Sequence, residues 1–565
     1  MASELSRRTV LRAVGLAAGG AALGLASACQ SSPGSSSSPP TSGAAGRGAS
    51  TAGGSTSPAS PTSTTATPST NGATSSVPPA TATSSAATTG PSASSRPGGW
   101  AGLAGRLEGK LYRPRTPGFG SVAHGYNPRY DDRSPAAVAR CAGAQDVRTA
   151  VEWAIASGTP FSVRSGGHSY TGWSTSTDLV IDVSALDQVT VDRGARTARI
   201  GAGARLIDVY HALAAQGFGV AAGSCPSVGV AGLTLGGGIG VLSRAWGLTC
   251  DSLDGASVVL ADARSHRVDR DHQPDLLWAL RGGGGGSFGA VTSFDLALRP
   301  APRVQTFYLT FPYAAAADVL DAWQRWAPRA DRRLWGTCHL AAVPSSGSRS
   351  ISVAGTWIGP SSTLGTLLDT FVRRCGTQPG YRSATPHSYE SAMLLEAGCD
   401  AYAPCHLAPQ GSLGREPMSA TSSMLPKPLD SKGIATVLDR IDAGLGVTAA
   451  GATAVAFDSL GGAVDDVSAT GTAYGHRGAI ASLQYTATWS ERHALKDPRP
   501  MDDYVRGFRA ALKPWCGEAA YVNYQDAAIR DYGQAYWGRN YRRLREVKRR
   551  VDPREHFTFP QAVRP

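Results

Sequence analysis

The folded part of this 565-residue chain predicts an α+β architecture. Three observations carry that prediction. Residues 133–303 alternate short apolar strands with helical stretches, as α/β layers do. Residues 304–490 mix helices with strands of period two, apolar on one side and polar on the other, as in an antiparallel sheet with one covered face. Residues 30–98 are almost entirely Ser, Thr, Ala, Pro and Gly, too poor in apolar surface to fold, and read as a tether.

Each element follows from local pattern. Residues 147–157 read as a helix, 160–164 as a strand, and 179–182 as a strand ending in aspartate. Short strands at 190–192 and 198–200 precede a helix over 206–216. A buried strand at 258–260, a helical turn at 276–280 and a strand over 290–298 complete the first region. In the second, 306–311 and 351–357 alternate as half-buried antiparallel strands, with a helix over 315–326 between them. The tail from residue 521 reads as a strand, a helix and a terminal aromatic cluster.

The N-terminus carries an address. Ser6-Arg7-Arg8-Thr9-Val10-Leu11-Arg12 leads into an apolar run ending Ala26-Ser27-Ala28, the pattern of a twin-arginine export signal with a small-residue cleavage site. The run is short and glycine-rich for a membrane span of about 20 residues. Cys29 follows directly and is a candidate for lipid attachment, although Leu25 stands four residues before it where the usual box has three. The expectation is an extracytoplasmic protein, secreted or lipid-anchored. Cys399 and Cys405, six apart in a polar stretch, are spaced to close a small disulfide loop outside the cell. The net charge of +12 comes from a diffuse arginine excess. Its densest run, Arg542, Arg543, Arg545, Lys548, Arg549 and Arg550, falls on helical spacing and reads as a solvated face, not as a nucleic-acid patch.

Chemistry gathers in two short stretches. Arg164-Ser-Gly-Gly-His168-Ser-Tyr170 sets an imidazole in a glycine turn. Cys225-Pro-Ser-Val-Gly, followed by Gly236-Gly237-Gly238, does the same with a thiol. Glycines let backbone amides converge on phosphate oxygens, and a nucleophile beside them permits covalent attachment of what is bound. A third run, Gly282 to Gly286, would alone be a flexible turn. Neither a G-x-G-x-x-G before a helix nor a Walker lysine stands in the right context, which makes a Rossmann or P-loop reading poor.

These stretches, with Leu280-Arg-Gly-Gly-Gly-Gly-Gly-Ser-Phe-Gly and the tail Tyr521-Val-Asn-Tyr-Gln-Asp, Tyr536-Trp-Gly-Arg-Asn-Tyr, Leu544-Arg-Glu-Val-Lys and Asp552-Pro, resemble the berberine-bridge-enzyme-like FAD-linked oxidases over residues 125–563. The resemblance implies an FAD-binding domain of the vanillyl-alcohol-oxidase (PCMH) type, made of two α/β subdomains, over 132–303. It implies a substrate domain over 304–519 and a C-terminal segment over 520–563 that packs back on the FAD domain, behind a signal peptide (1–28) and tether (29–98). By position, His168 matches the histidine joined to the flavin 8α-methyl and Cys225 the cysteine joined to flavin C6, so the FAD is expected to be bicovalent. Arg164, Ser165, Gly166, Gly167, Val228, Gly229, Gly236, Gly237, Gly238 and Asn540 are the other positions expected at the cofactor. Val228 matches a site that governs oxygen access, where a small residue goes with oxidase behaviour.

On the substrate side, Tyr170, Gln484 and Tyr521 to Tyr524 match positions lining the family's pocket. Asp458 matches an acidic residue that helps a tyrosine act as base. The expected base is Tyr524 or Tyr521, assisted by Asp458, although an unperturbed tyrosine titrates near 10. Ile239, Leu233 and Ser482 stand where many relatives carry tyrosine, histidine and lysine, so the base machinery of the plant alcohol-oxidising members is absent. The resulting expectation is an exported oxidase of a hydroxyl-bearing small molecule, carbohydrate or glycosylated or aromatic alcohol, with oxygen as acceptor and hydrogen peroxide as product. The alternatives are a same-fold dehydrogenase or oxidative cyclase, or a non-catalytic surface ligand-binding lipoprotein.

Overall fold

A computed structural model describes residues 99–490 and 497–565. The export signal, Cys29 and the tether lie outside the described residues. The first sheet combines β1 (Lys110–Tyr112), β2 (Ala137–Arg140), β3 (Phe161–Arg164) and β4 (Leu179–Asp182) in the order β1-β2-β4-β3. Strands β2, β4 and β3 run parallel, and the helix α1 (Ala144–Ser157) joins β2 to β3. A parallel pair requires such a crossover. Val147, Ala150, Val151 and Ala154 form the buried stripe of α1, at helical spacing.

The second sheet holds β5 (Val189–Asp192), β6 (Thr197–Gly201), β7 (Leu253–Val259), β8 (Ser265–Asp269) and β9 (Ala290–Ala297), all antiparallel, in the order β5-β6-β9-β7-β8. The helices α2 (Leu206–Ala215) and α3 (Val230–Leu235) interrupt it.

The third sheet has seven strands: β10 (Val304–Phe311), β11 (Leu334–Val343), β12 (Ser348–Trp357), β13 (Tyr381–His387), β14 (Met418–Leu425), β15 (Ala452–Ser459) and β16 (Ala481–Thr488). They lie in the order β13-β10-β12-β11-β15-β16-β14, antiparallel throughout. Period-two alternation gives this sheet two different faces. Leu334, Cys338, Leu340, Val353, Val455, Phe457, Leu483 and Tyr485 enter one core with α4 (Ala316–Trp326), α5 (Ser361–Cys375), α6 (Ser431–Gly444) and α7 (Arg499–Cys516). Trp335, Thr337, His339, Asp458 and Gln484 point the other way, into a cavity.

The strand expected from residue 521 does not form. The Tyr524 amide closes a turn on the Tyr521 carbonyl at 2.9 Å, and residues 521–524 run as an irregular segment instead. The helix α8 (Tyr541–Val551) follows. Its basic run is not uniformly solvated as expected: Arg542, Arg543, Arg545, Arg549 and Arg550 are exposed, but Lys548 is fully buried. The Lys548 ammonium donates to Asp552 at 2.6 Å and to the carbonyls of Ser287 (2.6 Å) and Phe557 (2.8 Å). The Asp552 carboxylate also accepts the amides of His556 and Phe557. Every polar atom of the pair is answered, and the tail is thereby tied to the loop after Gly286. The expected bridge between Cys399 and Cys405 is present, with Cα atoms 5.7 Å apart.

Replacing Lys548 with Met strands Asp552 as an unpaired buried charge. The expected loss is about 3–5 kcal/mol of unfolding free energy in urea titrations, against a change near zero for Arg549→Met on the exposed face.

Candidate active site

A cavity of about 300 Å³ lies between the glycine loops and the polar face of the seven-stranded sheet. Two glycines bring the loops together. A Cβ on Gly166 would stand 2.1 Å from the Gly229 amide, and one on Gly229 would stand 2.1 Å from Ser165 Oγ. Only residues without side chains allow these backbones to cross. The crossing places His168, in the loop leaving β3, and Cys225, ahead of α3, on one cavity wall. His168 stacks on Tyr126 with centroids 3.9 Å apart, and its Nε2 meets Ser227 Oγ at 3.0 Å. Burial, then the nearby Arg205 charge, lowers its pKa to about 3, so the imidazole is neutral and nucleophilic.

Ser165, Gly166, Gly167, Val228 and Gly229 line the same cavity. Arg164, Gly236, Gly237, Gly238 and Asn540 do not, and each has other work. Arg164 is buried against Asp182 at 2.8 Å and also donates to the Ala123 carbonyl, bracing the strand beneath the loop. Asn540 Nδ2 donates to the carbonyls of Ala469 and Thr472 and fixes the tail. The amides that follow Gly237 serve a phenol. Gly237 and Gly238 have φ of +128° and +86°, and this turn directs the amides of Gly238 and Ile239 to the Tyr521 oxygen at 2.8 and 3.2 Å.

The opposite wall collects the expected substrate-side residues. Tyr170 and Tyr524 stack with centroids 5.2 Å apart, and Tyr521 meets Tyr524 edge-on at 5.0 Å. Gln484 Nε2 donates to the Tyr170 hydroxyl. Asp458 sits across from Thr337 on β11 and from Ser482 on β16. Burial raises Asp458 to about 6, and burial together with the Asp458 charge raises Glu396 to about 7. Asp458 acts electrostatically on Tyr524 and Tyr170, both of which burial pushes far above the ordinary phenol value.

Sequence reasoning missed several residues here. Glu396 ends a helix with no motif around it, and His339 and Trp335 follow only the strand alternation of β11. Asn523 was expected only as part of the pocket-lining segment 521–524, and its contacts were not. Its Nδ2 donates both to the Leu233 carbonyl at 3.0 Å and to the Tyr521 oxygen at 2.9 Å.

Family comparisons agree with this geometry. Residues 135–269 match the model of the FAD binding domain, and residues 520–564 match the berberine and berberine-like model. An uncharacterized FAD-linked oxidoreductase of Bacillus subtilis, YgaK, is 34% identical over 466 residues, covering 81% of this chain and 98% of that protein. The chain belongs to the berberine-bridge-enzyme-like FAD-linked oxidoreductases. The solved structure of Physcomitrella patens BBE-like 1 matches with a TM-score of 0.74 and 26% identity, covering 82% of this chain and 98% of that one. A chitooligosaccharide oxidase shares the fold, with a TM-score of 0.74 at 24% identity, 82% of this chain and 99% of that one being covered.

The residues present fit FAD. Gly232 lines the cavity, and a Cβ there would touch nothing, leaving bare backbone for a flat or anionic group to approach. Behind Gly166, the buried Nη1 of Arg205 has no hydrogen-bond partner among the described residues, an unanswered donor of the kind a diphosphate satisfies.

The raised Asp458 pKa fixes a sign. Because the folded form holds the proton more tightly than the unfolded chain, stability from this group is complete below pH 4 and is lost as pH rises through about 6. Asp458→Asn is therefore expected to match the parent near pH 4 and to exceed it at pH 8 by on the order of 2–3 kcal/mol in urea unfolding.

Proposed function

We propose that this protein is an exported oxidase of a hydroxyl-bearing small molecule, a carbohydrate or a glycosylated or aromatic alcohol. The single observation that carries the reading is Tyr521. It lies at the cavity with its oxygen facing three N–H donors, the arrangement suited to a base that takes a hydroxyl proton. FAD held at this cavity would supply the two-electron acceptor for the hydride leaving the carbinol carbon, with oxygen taking the electron pair and two protons to give hydrogen peroxide.

The chain's own groups do the rest. His168 and Cys225 would each hold the isoalloxazine covalently, one from either loop. Tyr521 accepts the substrate hydroxyl proton as the carbon–oxygen double bond forms. Asp458, Gln484 and Tyr170 offer the acceptors and donors that a polyhydroxylated ligand needs, and the stacked rings of Tyr170 and Tyr524 give it an apolar floor. Val228 at the cavity is small, which favours oxygen as the acceptor. The fold shared with a chitooligosaccharide oxidase adds weight to a carbohydrate. Export follows from the twin-arginine motif, and lipidation of Cys29 would hold the enzyme at the surface through its tether.

Burial pushes Tyr521 up to about 12, so turnover is expected to rise with pH from neutral into the alkaline range. On a panel of sugars and aromatic alcohols, peroxide release identifies the substrate. Tyr521→Phe is then expected to lower kcat by about 10²–10⁴-fold while flavin content is unchanged. Full turnover by Tyr521→Phe would refute the assignment of the base.

A further inference from the structure

The Tyr521 phenol has unusual company. A neutral phenol accepts hydrogen bonds and must also place one proton. Among the described residues, its three hydrogen-bond neighbours are all donors: the Gly238 amide at 2.8 Å, the Ile239 amide at 3.2 Å and Asn523 Nδ2 at 2.9 Å. The orientation of the Asn523 amide is fixed independently. The same atom lies 3.0 Å from the Leu233 carbonyl, which can only accept, so it must be the nitrogen. Asn523 is itself held in place, since a Cβ on Gly236 would stand 1.9 Å from its Oδ1.

We infer that Asn523 and the amides of Gly238 and Ile239 form a three-donor socket for the Tyr521 phenolate, with Asn523 as the positioning residue that stabilises the anion so that the deprotonated base is available to act. This rests on Tyr521 being the base. The socket also accounts for the departures at Ile239 and Leu233. The chain uses the backbone N–H of the first and the backbone carbonyl of the second, so neither position needs a polar side chain.

Among the described residues, the groups packed around the phenol offer no competing cation. Tyr524 meets its ring at 5.0 Å and Tyr474 at 6.1 Å. Cys250 is buried nearby and its charge would oppose the phenolate, as would that of Tyr170. The Arg477 guanidinium is occupied by Asp251 at 2.6 Å. Hydrogen bonds are therefore the means of stabilising the anion, and each bond to a charged acceptor is strong.

The test uses the flavin-loaded full-length enzyme and two variants. Asn523→Leu removes the donor, and Asn523→Asp removes it while keeping the shape, so that a folded protein is available. Both are expected to move the acid limb of kcat/KM upward, with about 10-fold lower kcat/KM at a fixed pH on that limb and recovery toward the parent at high pH. Asn523→Asp should move it further, because its carboxylate opposes the phenolate. The near-UV phenolate absorbance assigned by difference to Tyr521, using Tyr521→Phe as blank, should shift in the same direction. A uniformly lowered curve with an unmoved limb, or an unmoved phenolate titration, would overturn the inference and leave Tyr521 as base intact. Parent-like turnover by Tyr521→Phe would remove both.

Discussion

The Tyr521 hydroxyl is the point on which the two halves of the site depend. Its oxygen takes the amides of the glycine turn after α3, while its own backbone N–H donates to Ser422 Oγ on β14 at 3.0 Å. One residue thus reaches the cofactor side through its side chain and the substrate sheet through its main chain. Asn523 adds a second link to the same turn. The tail must return to this place for the cavity to close, and the buried Lys548–Asp552 pair, with the Trp537 indole donating to the Gly282 carbonyl at 3.1 Å, holds it there. The C-terminal segment is therefore part of the active-site wall, not an appendage to it.

Glycine has a different job in each loop. Gly166 and Gly229 are small because two backbones cross between them, and that crossing brings the His168 imidazole and the Cys225 sulfur to one cavity. Gly237 and Gly238 are needed for their positive φ, which aims the next amides at a phenol. Gly232 is bare toward open cavity space. These are three separate physical requirements: close approach, handedness and access. The same residue type meets all three, so a glycine count in the sequence does not separate them.

Much of this was legible in the chain. The period-two strands around residues 306–311 and 351–357 and the helix near 316–326 formed where their patterns indicated, because one-sided burial sets both periods. The loops of His168 and Cys225 were recognisable from nucleophiles set among glycines. The opposite wall was harder to read. Glu396, His339 and Trp335 come from separate elements and meet only through sheet order, which no local pattern encodes. Gly236 to Gly238 were read as a phosphate cradle because their sequence suits one, whereas tertiary packing gives the amides of Gly238 and Ile239 to Tyr521. Lys548 looked like one more solvated cation in a basic helix, and only its place in the helix turn distinguishes it.

The central claim is that the Tyr521 hydroxyl fastens the glycine turn to the tail. Hydrogen exchange read by mass spectrometry on peptides spanning residues 236–240 tests it without reference to any substrate. In the parent protein the Gly238 and Ile239 amides should be protected. Tyr521→Phe, which removes only the acceptor oxygen, should speed their exchange by about 10-fold or more and leave the Gly237 and Gly240 amides, bonded to Thr234 O and Ser243 Oγ, as they were. Equal protection of Gly238 and Ile239 in both proteins would contradict the account.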